Sequence, residues 1–555
     1  MTDVTDAAAE TPSRVEWRSW GEAAFAEADE RGKPVLLSLV ATWCGPCHEM
    51  DVRTFGEPRI AANINDSFVP VRVDVDRNPR VRERYNMGGF PTTAFVTPTG
   101  ELLTGATYLG PDGMRQVLDR IRDLWNNKGE AAGRIPRALT DEPTPAGELS
   151  PEIEAHLAGQ LGEQFDHEFG GWGTDAKFPL ARTIEFALKR EPHLAQQTLD
   201  AIAQHLHDGI DGGFFRFAAN RDWSGVRHEK VLETNAALTR AFANAYLYTG
   251  DDAYREPAAR TIEFLTGELW TGVAVAGSRG PGQGAAYYRL PADERADQPS
   301  PRTDLTVFAG ANALAADALL TYHAYTDDDT ARRYAKRILD AVERDLIDRD
   351  TGVITHYRAG DETGETHLLE DAAHVVGAWC RARQVLGDER YTTVARRIAD
   401  ETLDTLGDEP AFRDGLDSGV GLCDRPLRPI DTGTAFADGL VDLAVLTGDG
   451  RYRTAAVDAI SAFAGAFERF GVQVAHYGSV ASRLTDSPLV IEVGSAGSEL
   501  HRTALRVADH EKIVVPDIDG LETEEATVRG SAASPATTPD ELLEQVSNAV
   551  STKKE

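Results

Sequence analysis

The hydrophobic period of the chain changes along its length. Through residues 15–125, short apolar runs alternate with amphipathic stretches. Gly21 to Arg31 has helical spacing, whereas Pro34 to Val40 is a continuous apolar run of strand length, suited to a strand buried on both faces. A helix is predicted to start at Cys44-Gly45-Pro46-Cys47, followed by a strand over Phe68–Asp74, a short helix near Val81–Tyr85 and a strand over Thr93–Thr97. The turn Pro98-Thr99-Gly100 leads to a strand around Glu101–Thr104, and Pro111–Trp125 closes the region as a helix. This order predicts a mixed sheet with helices on both faces.

Residues 126–150 are rich in Gly, Pro, Glu and Thr without apolar periodicity and read as a linker. Over residues 151–471 the pattern becomes helical, with apolar residues at three- and four-residue spacing in Ala236–Tyr248, Ala311–Tyr325 and Ala372–Leu386. A short repeat lies on top of it: Gly250-Asp251-Asp252-Ala253-Tyr254, Gly387-Asp388-Glu389-Arg390-Tyr391 and Gly448-Asp449-Gly450-Arg451-Tyr452, with a degenerate copy over Thr326–Tyr334. Glycine ends one helix in the left-handed conformation, aspartate caps the next, and the tyrosine packs into the hairpin. Helical hairpins in series are predicted, and closed into a ring they gather their Gly-rich loops at one end. Residues 472–530 change character again, with strands at Leu489–Val493 and Lys512–Val515 around a helix at Glu499–Val507, and read as a small α/β appendage. Residues 1–14 are expected to be disordered and residues 531–555 to form a loose tail.

The 57 basic residues are 48 Arg and 9 Lys, against 90 acidic ones, for a net charge of −33. The carboxylates are spread along the chain, which is the composition of a protein adapted to multimolar salt, where the screening length shrinks to about 3 Å. No acidic block calls for a basic partner, and nucleic acid is disfavoured as a ligand. Met1 to Arg14 shows no basic start followed by an apolar run, and Val35–Val40 is far short of a membrane span. A soluble, cytoplasmic protein that binds no membrane is expected. Only four cysteines occur, at positions 44, 47, 380 and 423, which excludes a disulfide-stapled scaffold.

Cys44 and Cys47 are spaced for thiol–disulfide exchange. A thiolate is the attacking species, and a helix N-terminus supplies the partial positive charge that lowers such a cysteine's pKa to roughly 3.5–7.5 in related sites. Cys44 is placed to attack, Pro46 fits the first helical turn, and Cys47 is the resolving thiol. Downstream, Gly89-Phe90-Pro91-Thr92-Thr93 puts a proline at the start of a strand; a cis Pro91 turns the backbone of Phe90 toward the sulfurs as an edge for a bound polypeptide. Trp43, Gly45, Pro46, His48 and Phe90 support the pair, His48 as a candidate for stabilising the thiolate. Cys44 to His48 also fits the Cys-X-X-Cys-His haem signature, and Cys44, Cys47 and His48 are a partial zinc set. A strand before the pair, a helix after it and Pro91 favour the dithiol reading, with no cofactor and no metal beyond the redox-active disulfide itself. Cys380 and Cys423 lack paired spacing and read as buried small apolar residues.

Trp43-Cys44-Gly45-Pro46-Cys47 with Gly89-Phe90-Pro91-Thr92 resembles thioredoxin. Over its whole length the chain is similar to the DUF255 family of thioredoxin-domain proteins, to which spermatogenesis-associated protein 20 belongs. Trp17 with Trp20-Gly21-Glu22-Ala23-Ala24-Phe25 resembles that family's opening, and Lys177-Phe178-Pro179, Gly212-Gly213-Phe214, His228-Glu229-Lys230 with Asn235, Leu369-Glu370-Asp371-Ala372-Ala373 and Thr447-Gly448-Asp449 resemble its helical motifs. The resemblance implies an α/β thioredoxin-like domain followed by a mainly α (α/α)6 toroid, like those of N-acylglucosamine 2-epimerases and six-hairpin glycosidases. Two departures stand out. The family's usual Cys-His-Trp-Cys-His site is replaced by the thioredoxin spacer, and Ser38 stands where thioredoxin has a buried aspartate that takes the proton of the resolving cysteine.

In the helical region His228, Glu229, Asp304, Asp371 and His374 are candidates for acid–base work at the mouth of a toroid. Asp371 and His374 are three apart on one helix face and are expected to meet. The expected function is thiol–disulfide exchange on a protein disulfide, recharged by an upstream reductase, with the toroid as a recognition module. The alternative is an epimerase- or glycosidase-like toroid acting on or binding a carbohydrate, with the thioredoxin-like domain regulatory or structural.

Overall fold

The computed structural model describes residues 13–140 and 142–552. The chain divides into two compact units, Met1–Glu142 with Gly415–Leu427, and Pro143–Asp414 with Arg428–Glu555.

The first unit is built on strands β1 (Arg18–Ser19), β2 (Val35–Val40), β3 (Val69–Asp74), β4 (Thr92–Val96) and β5 (Leu102–Ala106), in the order β1-β3-β2-β4-β5. β1, β3 and β2 run parallel, and β4 and β5 are antiparallel additions. The apolar run of β2 is buried because it lies mid-sheet with helices on both faces. Leu36, Met50, Phe55, Ile64, Phe68 and Phe95 fill one of those layers against Met114 and Leu118 of the closing helix Pro111–Lys128. The helix Pro58–Ser67 lies between the elements the sequence predicts, its apolar stripe amounting only to Ile60, Ala61 and Ile64.

Two segments are not where the sequence put them. Residues 126–140 are no free linker: Leu102 and Arg134 exchange backbone hydrogen bonds of 2.9 and 3.0 Å, so this stretch covers the open edge of β5. Gly415–Leu427 leaves the helical sequence and joins the first unit. There Arg80, on the helix Pro79–Tyr85, donates to the carbonyls of Leu416, Ser418 and Cys423, and Arg84 donates to those of Leu422 (2.7 Å) and Arg425 (2.6 Å). The Tyr85 hydroxyl accepts from Leu422 N (2.8 Å) and donates to Gly100 O (2.9 Å).

The second unit is a closed ring of helices. Its inner helices are Ala181–Arg190, Leu232–Thr249, Ala309–Thr326, Leu369–Leu386, Ile430–Thr447 and Ala475–Thr485, each packed on the next and the last on the first. Glu152–Glu163, Pro192–His205, Asp252–Thr266, Asp329–Asp345, Glu389–Leu406 and Gly450–Ala464 form the outer layer. This is an (α/α)6 toroid. Gly250, Gly387 and Gly448 end inner helices at φ of 66, 79 and 70°, and the Asp251, Asp388 and Asp449 carboxylates cap the outer helices that follow. In the degenerate copy Asp327 takes the left-handed position at φ 58° and Asp328 is the cap. Tyr254, Tyr391 and Tyr452 are buried in these hairpins.

The ring also runs past the boundary read at residue 471. Ala475–Thr485 is its last inner helix, closing the circle between Ile430–Thr447 and Ala181–Arg190. Its small residues (Ala475, Gly478, Ser479, Ala481) suit close helix packing but weaken the apolar period. The appendage is a three-stranded sheet with Val490–Val493 between Ile513–Val515 and Ala526–Val528. Residues 531–552 are not a loose tail: the helix Pro539–Thr552 packs on the strand Ala526–Val528. Of residues 1–14, expected to be disordered, 1–12 lie outside the described residues, as do 553–555, whereas Ser13 Oγ accepts from Val15 N and Trp17 Nε1. Among the described residues no helix is long and apolar enough to cross a membrane.

Candidate functional site

β2 ends at Val40, and the chain turns through Ala41-Thr42-Trp43 so that Cys44 caps the helix Gly45–Met50. The Cys47 N–H donates to Cys44 Sγ at 3.1 Å, which is the polarity that favours a thiolate at this position. Cys44 and Cys47 are joined by a disulfide with Cα atoms 5.2 Å apart, and both are buried. Trp43 packs edge-on against Phe90 at 6.1 Å, and its indole N–H donates to Asp76 at 2.6 Å. The Phe90–Pro91 peptide is cis. Its loop is held by the Asn86 carboxamide oxygen, which accepts from Gly88 N and Gly89 N (2.9 Å each), and by the Thr92 hydroxyl, which accepts from Met87 N and donates to Gly89 O. His48 Nε2 lies 3.1 Å from the Thr42 carbonyl oxygen, so the ring is engaged by backbone on the strand side of the helix. Gly45 and Pro46 form the first turn of the helix.

Ser38 is 1% exposed, paired in register with Arg72 and Thr93. Arg72 is ion-paired with Asp51, which lies one helical turn beyond Cys47. A neutral hydroxyl thus occupies the position of the usual acid, with the neighbouring carboxylate already paired.

The five toroid candidates are not gathered into one constellation. Glu229 accepts from Arg216 at 2.8 Å, and Asp304 caps its own turn by accepting from Thr306 N and Oγ1 (3.1 and 2.7 Å). His228 stacks on Tyr288 (5.4 Å, 8°) and meets the edge of Phe215; burial, helped by Arg289, lowers its pKa. Asp371 makes no hydrogen bond to His374 Nδ1. Its Oδ1 accepts from Gly310 N at 2.9 Å and its Oδ2 lies 2.8 Å from His356 Nδ1. The free N–H groups at the start of the helix Ala309–Thr326 are stronger claims on a carboxylate than a side chain three residues along. His374 Nδ1 is buried without a hydrogen-bond partner among the described residues. It faces Gly310, where a Cβ would lie 2.9 Å from Asp371 Oδ1 and 3.1 Å from His374 Nδ1. Burial lowers the His374 pKa, against Glu370.

Several motif residues prove to be struts. Lys177 and Lys230 are fully buried and donate to Asp166 (2.8 Å) and Asp208 (2.7 Å). Each aspartate also caps a tight turn through Phe165–Trp172 or His207–Phe214. Asn235 brackets Phe214, accepting from its N–H and donating to its carbonyl, and Asn312 does the same to Val275. Both asparagines are the fourth residue of an inner helix, a spacing visible in sequence once the helices are aligned. His356 and Gly310 carried no signal. Among the described residues no cluster of three or more His, Cys, Asp or Glu side chains is arranged to hold a metal.

A thioredoxin-type sheet carrying a cysteine pair at a helix start defines a thiol–disulfide class of domain. Residues 7–142 match the family model described as a protein of unknown function, DUF255. Spermatogenesis-associated protein 20 of Mus musculus is 29% identical over 294 residues, which span 46% of this chain and 37% of that protein. The human protein of the same name matches to the same extent, so the chain spans little more than a third of the length of these relatives. Thiol:disulfide interchange protein DsbD 1 of Pseudomonas aeruginosa is 31% identical over 105 residues, covering 18% of each chain. Among solved structures, a sugar epimerase from a ruminal bacterium is similar at TM-score 0.45 and 17% identity, over 55% of this chain and 84% of that one. Cellobiose 2-epimerase of Spirochaeta thermophila is similar at TM-score 0.42 and 18% identity, over 55% and 83%.

Proposed function

We propose that this protein is a cytoplasmic thiol–disulfide oxidoreductase of high-salt cells, in which the toroid recognises the target. The observation that carries the reading is the Cys44–Cys47 pair itself, bonded at the start of a helix beside the Phe90–Pro91 loop. In the reduced pair the Cys44 thiolate attacks one sulfur of a substrate disulfide, and the other sulfur leaves as a thiolate. The Cys47 thiolate then attacks Cys44 in the mixed disulfide, which releases the second substrate thiol and leaves Cys44–Cys47 oxidised. An upstream dithiol reductase returns two electrons and two protons. Phe90 and Pro91 border the substrate groove, and Trp43 holds the Phe90 side of it.

Recognition is favoured over turnover in the toroid because Glu229, Asp304 and Asp371 spend their carboxylates on neighbouring groups. The test is reduction of a model protein disulfide by the full chain in multimolar salt, with dithiothreitol as electron source, beside Cys44→Ser. Turnover by the wild type alone upholds the reading. Equal activity, or none in both, overturns it and turns attention to the toroid and carbohydrates, where Asp371 or His228 variants become the informative ones.

A further inference from the structure

The lumen of the ring holds a cavity of about 70 Å3 at the end covered by the appendage. Its walls are charged side chains of the inner helices, and His510, Glu511 and Lys512 of the appendage project into it. The carboxylates here are already engaged. Glu185 is held by Arg240 (2.7 Å), Asp438 and Asp442 by Arg483, and Glu511 by Lys189 (3.0 Å) and Arg190 (2.8 Å).

The cations are not all engaged in return. Lys512 is 5% exposed, yet among the described residues its Nζ meets no carboxylate. It donates to the Asp509 carbonyl at 3.1 Å and lies 5.5 Å over the face of Tyr325. Arg381, lining the same cavity, is paired through Nε with Asp317 at 3.3 Å, and among the described residues its terminal nitrogens make no hydrogen bond. Burial pulls the Lys512 ammonium down to about 7, and the nearby Arg381 adds to the effect, so Lys512 and Arg381 bring two cations to one cavity. A buried cation with no carboxylate beside it, as at Lys512, is expensive, and the cavity it lines has room for a small anion.

We propose that this end of the lumen binds a small oxyanion of the phosphate class between the Lys512 ammonium and the Arg381 guanidinium. Lysine has three N–H donors, of which one is used on Asp509, and the terminal nitrogens of arginine present a planar fork; a tetrahedral oxyanion offers acceptors in both directions. A sugar hydroxyl does not supply the missing charge. Chloride does, but cannot accept the fork in the paired geometry an oxyanion allows. The same phosphoryl chemistry is offered by inorganic phosphate and by a phosphorylated metabolite. The site does not depend on the dithiol reading, since all its residues lie in the second unit.

The test is calorimetric titration of the full chain, at constant multimolar potassium chloride, with inorganic phosphate, glucose 6-phosphate and glucose in turn. Saturable binding of phosphate, of glucose 6-phosphate or of both is expected, with glucose inert; phosphate alone points to a free ion, glucose 6-phosphate alone to a phosphorylated metabolite. Lys512→Met is expected to weaken binding at least tenfold, Lys512→Arg to keep it within a few fold, and Cys44→Ser to leave it unchanged. If Lys512→Met does not fold, Arg381→Met serves in its place with the same expected loss. No saturable binding of either phosphate compound, binding of glucose as strong as theirs, or full retention in the charge-removing variant overturns the proposal.

Discussion

Lys230 Nζ lies 2.7 Å from Asp208 Oδ2, and both side chains are buried beneath the aromatic rings of Phe215, Phe264 and Tyr288. Burial pulls the Lys230 ammonium down to about 8 against the attraction of Asp208; on Asp208 the upward pull of burial is outweighed by Lys230 and Arg295, which hold its carboxyl below the usual range. The pair ties the turn after one outer helix to the strand that leads into the next inner helix. Lys230→Met leaves Asp208 with Arg295 as its remaining cation and is expected to lower stability by about 3 kcal/mol. Replacing both partners, with Asp208→Asn added, is expected to recover part of that loss. Denaturant unfolding of the two single variants and the double variant measures the coupling.

Acid sensitivity is expected above the carboxylate range. Burial lowers His510 to about 4, and His207 likewise to about 4 with help from Lys230. Between about pH 4 and the ordinary histidine value near 6.5 the unfolded chain binds protons that the folded chain does not, so stability rises with pH across that window and is lost as the solution is acidified. Each unit of displacement carries about 1.4 kcal/mol. Glu185, held near 2 by Arg240 and Arg182 against burial, extends the loss below pH 4.5. Unfolding midpoints at pH 6.5, 5.5 and 4.5 are expected to fall steadily, and His510→Gln is expected to flatten the slope. A slope unchanged in that variant removes His510 from the account.

The neutral Ser38 predicts a slow resolving step. With Ser38 neutral and Asp51 paired to Arg72, mixed disulfides are expected to persist, and Cys47→Ser is expected to trap them outright on a non-reducing gel. Ser38→Asp places a carboxylate beside Arg72 and is expected to shorten the lifetime of the mixed disulfide by about a hundredfold, the lower end of the range for general-base assistance. Stopped-flow fluorescence of Trp43 follows the step.

Arg80 satisfies carbonyls of Leu416, Ser418 and Cys423 at once. Arg80→Met strands those acceptors and is expected to cost about 1–3 kcal/mol locally. The readout is limited proteolysis, with cleavage within residues 415–427 expected to accelerate while the half-life of the remaining chain changes little.

The local rules written in the sequence were sufficient wherever structure is set by neighbours in the chain. The buried run Val35–Val40, the Gly-Asp hairpin punctuation at residues 250, 387 and 448, and the Cys44-Gly45-Pro46-Cys47 helix start follow from period, left-handed glycine and capping chemistry, and each formed where expected. Tertiary structure decided what depends on partners far along the chain. A helix spacing of three put Asp371 beside His374 on paper, but the fold brought Gly310 and His356 within reach, and a carboxylate follows the strongest donors available. Ala475–Thr485 was legible as a ring member only once both neighbours were in place, because packing between helices needs small residues as much as apolar ones. The capture of residues 415–427 by Arg80 and Arg84, and the placing of Lys512 and Arg381 around one cavity in the ring, likewise depend on distant segments, for which periodicity carries no signal.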